Sequence, residues 1–230
     1  MNNLLEYNHL INNFEFKKGD TVILASDVTN LMSLYKKNGH YFNLNLFIDS
    51  ILDSIGDKGT LLIPTHNWDF CKGITFDYVS TPSMTGSLGK IALKRNDFKR
   101  TTNPIYSFAV NGFDKEFLFN LSHFSCFGED SPFQYLHKKN AKFFSISLDF
   151  KEAGFTPAHY VEEKIGVSYR YFKYFTGNYI DQNRITKKVK YKFYVADTSK
   201  IVKTGMKKNI DNILIDINAY KKYHIKDEFF

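Results

Sequence analysis

The stretch GDTVILASDVTNLM, Gly19 to Met32, packs a turn, a buried strand and the start of a helix into one short run. Gly19-Asp20 makes the turn, the apolar residues up to Ser26 form the strand, and Ser26-Asp27 leads into the helix. A strand that runs straight into a helix N-terminus presents backbone N–H groups and a positive dipole end, a natural seat for a phosphate. Asp27 supports a second reading of the same residues, in which its carboxylate is simply the helix cap.

Outward from this run the chain keeps alternating strand and helix. NLNLFIDSILDSIGDKG places Leu44, Phe47, Ile48, Ile51, Leu52 and Ile55 at helical spacing, and Gly56 and Gly59 supply a stop and a turn. TLLIP is a second buried strand closed by Pro64. Residues 65–83 read as a long irregular loop, which in a compact domain points to function. TGSLGKIALKR reads as helix, IYSFAVNG as strand, SPFQYLHKK as helix and AKFFSISL as strand. This alternation predicts a layered α/β/α core. After Ser168 the pattern changes: YRYFKYF and KKVKYKFYVAD alternate as antiparallel strands, followed by a polar helical tail to Phe230. The expected organisation is an α/β core over 1–167 and a basic C-terminal lobe over 168–230, packed together as one structural unit.

Charge follows the same division. The 230 residues carry a net charge of +7. Residues 1–150 hold 15 Lys and Arg against 15 Asp and Glu, whereas 151–230 hold 16 against 9. A basic lobe suits an anionic partner, either a nucleic acid, a membrane face or a phosphorylated small ligand; it also reads as a solvated face that maintains solubility. The two cysteines, Cys71 and Cys126, build no disulfide or metal framework. No signal segment opens the chain and no apolar run reaches the length of a membrane span, so a cytoplasmic protein is expected.

Two short motifs carry chemistry. In FTPAHYVEEKIG, Phe155 to Gly166, Thr156 is a candidate N-cap, Pro157 suits the first helical position, and His159 and Glu162 share a helix face at i, i+3. The helix N-terminus disfavours imidazolium while a carboxylate partner favours it and fixes the tautomer, an arrangement suited to a general base. The spacing fits a plain surface His–Glu pair equally well. Glu163 points elsewhere on the helix and is expected to be a solvated charge. In PTHNWD, His66 follows a buried strand at the sheet edge where α/β proteins hold ligands, or else is a turn histidine. His66, His159 and Glu162 as zinc ligands of a hydrolase, and KKVKYKFY as a single-strand nucleic-acid platform, are the readings of other classes.

Read in order, these segments resemble the aminoglycoside 3-N-acetyltransferase (antibiotic N-acetyltransferase) family. The resemblance runs through GDTVILASDVTNL, GDKGTLLIPTHNWDF, TPSMTGSLGKIALKR, RTTNPIYSFAVNG, FGEDSPFQYL and FTPAHYVEE, about Gly19 to Tyr174. It implies an acyl-CoA-dependent N-acyltransferase, most simply with acetyl-CoA and without a metal, on a fold distinct from the GNAT type. By matching position, His159 is the base and Glu162 the residue that orients it. Ser26, Asp27 and Val28 then form part of the coenzyme A site, Ser107 is the serine of the central strand, and His66 lies near the acyl end. Trp68, Asp69 and Tyr106 complete the expected substrate contacts.

The chain also departs from the antibiotic-modifying pattern. Ala25-Ser26-Asp27 stands where those members have His-Ser-Ser or His-Ala-Ser, and Asn103-Pro104-Ile105-Tyr106 where they have His-Pro-x-His. With the basic lobe, these departures resemble the surface-polysaccharide branch of the family, whose acceptor would be an amino sugar, in particular a nucleotide-linked one. An aminoglycoside acceptor is the alternative. The expected partners are acyl-CoA and the amino-sugar acceptor, with a homodimer as a further possibility.

Overall fold

The computed structural model describes residues 4–148, 155–200 and 210–223. Its centre is a five-stranded sheet in the order β4-β5-β2-β1-β6, where β1 is Thr21–Ser26, β2 Thr60–Pro64, β4 Lys99–Arg100, β5 Phe108–Gly112 and β6 Lys142–Ile146. β1 runs parallel to both β2 and β6, with Val22 opposite Leu61 and Lys142. β5 returns antiparallel to β2 and β4 antiparallel to β5.

The two-residue period of a strand splits the apolar side chains between two layers. Val22, Leu24, Leu61, Ile63 and Ala109 point into one core. It is filled by Tyr7, Leu10 and Ile11 of α1 (Leu4–Ile11), Leu31 and Tyr35 of α2 (Thr29–Lys37), and Phe47, Ile48, Ile51 and Ile55 of α3 (Leu44–Ile55). Leu88 and Ala92 of α4 (Gly86–Ala92) complete it. Ile23, Leu62, Phe108 and Val110 point the other way. They meet Leu118 of α5 (Lys115–Phe119), Phe133 and Leu136 of α6 (Pro132–Lys138), Tyr160 of α7 (Ala158–Ile165) and the aromatic loop residue Phe127. Both faces of the sheet are therefore covered, which is why its strands read as continuous apolar runs. The layered α/β/α architecture expected from the alternation is what the chain adopts.

Local chemistry sets the helix ends. The Asn43 side chain accepts from the amides of Asn45 and Leu46 at 3.0 and 3.3 Å to open α3, and Gly56, at φ +67°, closes it. Ser131 Oγ accepts from Gln134 N at 3.3 Å ahead of Pro132, opening α6. α7 begins differently from its sequence reading. Pro157 occupies the cap position and Ala158 is the first helical residue. Three successive i→i+3 bonds, Ala158 N to Phe155 O, His159 N to Thr156 O and Tyr160 N to Pro157 O, tighten that first turn.

The region 65–83, read as irregular, contains a 3-10 turn at Asp69–Lys72 and a short strand, β3 (Phe76–Asp77). β3 pairs parallel with β7 (Arg170–Ile180), and β7 pairs antiparallel with β8 (Thr186–Ala196) from Arg170↔Ala196 to Ile180↔Thr186. The expected antiparallel C-terminal sheet is thus a long hairpin. Its inner residues Phe175, Val189, Tyr191 and Phe193 pack on the second core. The main chain of Lys192 also bonds to Phe124 O and Cys126 N, 2.9 Å each. Among the described residues the tail contains one helix, α8 (Ile210–Asp216); residues 201–209 and 224–230 of the expected helical tail lie outside them. No helix among them is long and apolar enough to cross a membrane.

Candidate active site

His159 and Glu162 come together on the first turns of α7. An ionised carboxylate can only accept, so the imidazole Nδ1–H donates to Glu162 Oε2, at 2.5 Å. This leaves Nε2 as the ring nitrogen not held by Glu162. The His159 side chain is partly enclosed, 27% exposed, with its ring 5.0 Å from that of Phe127. Burial holds its pKa below the ordinary imidazole value; the hydrogen bond and charge of Glu162 oppose the shift and the charge of Arg170 adds to it.

Residues expected at the site from distant segments are joined by a row of rings. His66 packs on Tyr106 at 4.7 Å, Tyr106 on Phe127 at 4.7 Å, and Phe127 on His159. Trp68 stands edge-on to both His66 and Tyr106, at 6.3 and 6.2 Å. His66 is buried; its backbone N–H donates to Thr85 Oγ1 at 3.2 Å, and its carbonyl accepts from Met84 N at 2.9 Å. Its Nε2 has no partner among the described residues. Burial, the charge of Arg100 and that of His159 push its pKa down to about 3, so the ring is neutral near pH 7. Tyr106 is also buried, which raises its hydroxyl to about 12. Asp69 turns its carboxylate to Lys72 Nζ, 2.9 Å away, at the start of the 3-10 turn.

At the end of β1 the three expected cofactor residues separate. Val28 buries its side chain in the first core, which leaves only its backbone to face a ligand. Asp27 is exposed and sits one residue before the cap position of α2, which Val28 occupies without a side-chain cap bond; its Oδ1 accepts from Thr29 N at 2.9 Å, and the Thr29 side chain, then its backbone N–H, lowers the Asp27 pKa. Ser26 ends the strand beside Gly86, where an added Cβ would lie 3.2 Å from the Ser26 carbonyl. Glycine, at φ +85° there, lets the start of α4 approach the end of β1.

Ser107 is enclosed, and its hydroxyl is committed to the interior. It donates to Thr65 O at 2.9 Å and accepts from Arg100 Nε at 2.9 Å. Arg100 is itself buried, with further bonds to the carbonyls of Thr81 and Thr65 and its guanidinium over the Phe76 ring. Ser107 therefore anchors a buried cation behind His66.

Several members of the cluster were not apparent in the sequence. Tyr169 OH donates to Glu162 Oε1 at 3.0 Å, and Arg170 Nε lies 2.9 Å from Glu162 Oε2. Phe127 links His159 to Tyr106. Glu163, expected in solvent, is instead 7% exposed; its carboxylate accepts from Ser125 Oγ and lies 3.8 Å from Lys192 Nζ. The hairpin packs over that side of α7, which i, i+3 spacing within the helix cannot reveal. Among the described residues no three His, Cys, Asp or Glu side chains converge to hold a metal ion.

The family model described as aminoglycoside 3-N-acetyltransferase matches residues 31–213. The crystal structure of aminoglycoside acetyltransferase AAC(3)-Xa superposes with a TM-score of 0.73 at 17% identity, covering 94% of this chain and 82% of the other. AAC-IIIb in a binary complex with CoASH gives 0.70 at 15% identity, covering 95% and 85%. The YokD protein from Bacillus subtilis gives 0.67 at 18%, covering 84% and 82%. These likenesses establish the fold. No curated protein matches by sequence. With the family model spanning most of its length, the chain belongs to the aminoglycoside 3-N-acetyltransferase family and is an N-acetyltransferase.

Proposed function

We propose that this protein transfers the acetyl group of acetyl-CoA to a primary amine of an aminoglycoside-type acceptor, with His159 as the general base and Glu162 as the carboxylate that orients it. The contact that carries this reading is His159 Nδ1 to Glu162 Oε2, 2.5 Å, which leaves a neutral Nε2 at a partly enclosed position. The acceptor amine, losing a proton to Nε2, attacks the thioester carbonyl carbon. The C–S bond then breaks and the thiolate leaves with a proton, so the products are an amide and free coenzyme A. The rings of Trp68 and Tyr106, packed beside His66, suit the acceptor or acyl end. The end of β1 at Ser26, with the opening amides of α2, suits the diphosphate of the donor. The fold shared with a CoASH-bound relative supports the donor, and AAC-VIa bound to sisomicin, with a TM-score of 0.71, supports an aminoglycoside acceptor.

One observation favours a second acceptor. Lys188, Lys190 and Lys192 line one face of β8, and the last two stand over the rings of Tyr174 and Phe172 at 4.6 and 4.2 Å. Such a face repels a polycation and attracts phosphate, which fits an amino sugar carried on a nucleotide diphosphate, as in surface-glycan assembly. Free-thiol release from acetyl-CoA distinguishes the two, with an aminoglycoside panel and a nucleotide-linked amino-sugar panel run side by side. Turnover on aminoglycosides supports the first reading, and turnover confined to nucleotide sugars replaces it with the second. Failure to bind coenzyme A at all would reject both.

A further inference from the structure

We propose that Arg170 is a positioning residue for this dyad: it shares with His159 a single oxygen of Glu162, so the base is oriented by a carboxylate whose charge is already matched. The contact comes from the hairpin. Arg170 is the first residue of β7, and its guanidinium Nη1 donates to Tyr194 O, 3.1 Å away on β8. Tyr194 OH in turn donates to Val167 O at 2.7 Å, tying the hairpin to the end of α7. The Arg170 side chain is 15% exposed, so little solvent screens its charge.

The geometry at Glu162 is specific. Oε2 lies 2.5 Å from His159 Nδ1 and 2.9 Å from Arg170 Nε, while Oε1 accepts from Tyr169 OH. Arg170 Nε approaches closely without the alignment of a hydrogen bond, and it has no other acceptor among the described residues. Its effect on the carboxylate is therefore chiefly that of a fixed charge. A buried His–carboxylate pair left to itself favours imidazolium, which cannot take a proton from an amine. A guanidinium on the same oxygen offsets that preference while leaving the orienting hydrogen bond intact. The other charged or titratable groups around His159 do not replace it. Glu163 is turned to Ser125 and Lys192, and His66 stands beyond Tyr106 and Phe127 and is neutral. The direction of the His159 shift, to which Arg170 adds, agrees with the geometry.

The inference rests on His159 being the base, so its test uses a readout that needs no turnover: NMR titration of the His159 ring in the free protein. Arg170→Met should move the titration midpoint to higher pH, and Arg170→Lys should bring it back toward the wild-type position. In parallel, kcat/KM of Arg170→Met near pH 6 should fall by about threefold or more relative to its own alkaline plateau. An unmoved His159 midpoint, or a loss of activity equal at every pH, overturns the proposal and leaves Arg170 as a pin for the hairpin. If the methionine variant does not fold, Arg170→Gln serves with the same two outcomes. Full turnover by His159→Ala would reject the base assignment separately, without altering what the titration says about Arg170.

Discussion

Glu163 sets both of its carboxylate oxygens against the single hydroxyl of Ser125, at 2.7 and 2.8 Å. Its chain neighbour Glu162 faces His159 and Arg170, so two adjacent carboxylates leave α7 in different directions, one to the imidazole and one to Ser125 and Lys192. Burial raises the pKa of Glu163, while Ser125 and Lys192 oppose the shift. A raised carboxyl pKa means that stability is greatest with the group protonated and declines as pH rises through the folded-state value. Ser125→Ala removes a donor from a buried anion and should cost about 1–3 kcal/mol at pH 7. Urea unfolding would show a smaller loss at acid pH, where the carboxyl carries its own proton. An equal loss at both pH values would mean that the hydroxyl contributes packing alone.

His159→Ala should lower kcat by about 10²–10⁴-fold, the usual contribution of a general base, with coenzyme A affinity nearly unchanged. Glu162→Gln should lose less, because it removes charge and orientation but keeps the imidazole. Steady-state kinetics together with coenzyme A titration separate these effects. A larger defect in the glutamine variant would identify Glu162 as the proton acceptor.

His66 makes acid stability predictable. Its folded-state pKa is pushed down to about 3 from an ordinary 6.5, chiefly by burial. The unfolded chain therefore binds a proton that the native chain refuses. The stabilisation is complete above pH 6.5 and is lost progressively as pH falls toward 3. His66→Phe should flatten the dependence of unfolding free energy on pH between 4 and 6 by about one proton. An unchanged slope would show that the ring is charged or solvated in the native protein.

Gly89→Ala tests the packing of α4 on the sheet. In an exposed helix this exchange stabilises by up to about 1 kcal/mol. Here an added Cβ would lie 2.5 Å from Pro64 O and 2.8 Å from Ser83 Oγ. The backbone contact cannot yield by a rotamer change, so the variant should be destabilised by about 1–3 kcal/mol. Thermal unfolding would show a lower Tm; a higher one would mean that α4 moves freely on the end of β2.

The alternation of apolar runs and amphipathic helices made the layered core legible, because burial on both faces of a sheet leaves a pattern in each strand. β1, β2, β6 and α3 are all visible in this way. α1, the short strands β3 and β4, and the 3-10 turn were not, since each is too short for a period to emerge and exists because neighbouring elements supply its partners. Within the site, the His159–Glu162 contact follows from spacing on one helix. The burial of Ser107 does not, because it depends on Arg100 and Thr65, which reach it from two other segments.

By itself the sequence determined the alternation of elements, the charge imbalance toward the C-terminus and the shared helix face of His159 and Glu162, all of which depend on local periodicity. Only the tertiary structure decided which of those groups meet. It turned Glu163 inward to Ser125, enclosed Ser107 behind Arg100, and joined His66 to His159 through Tyr106 and Phe127. It also brought Arg170 from the hairpin onto the oxygen of Glu162. Burial and pairing arise from the packing of segments far apart in the chain, and a linear pattern carries no distance between them.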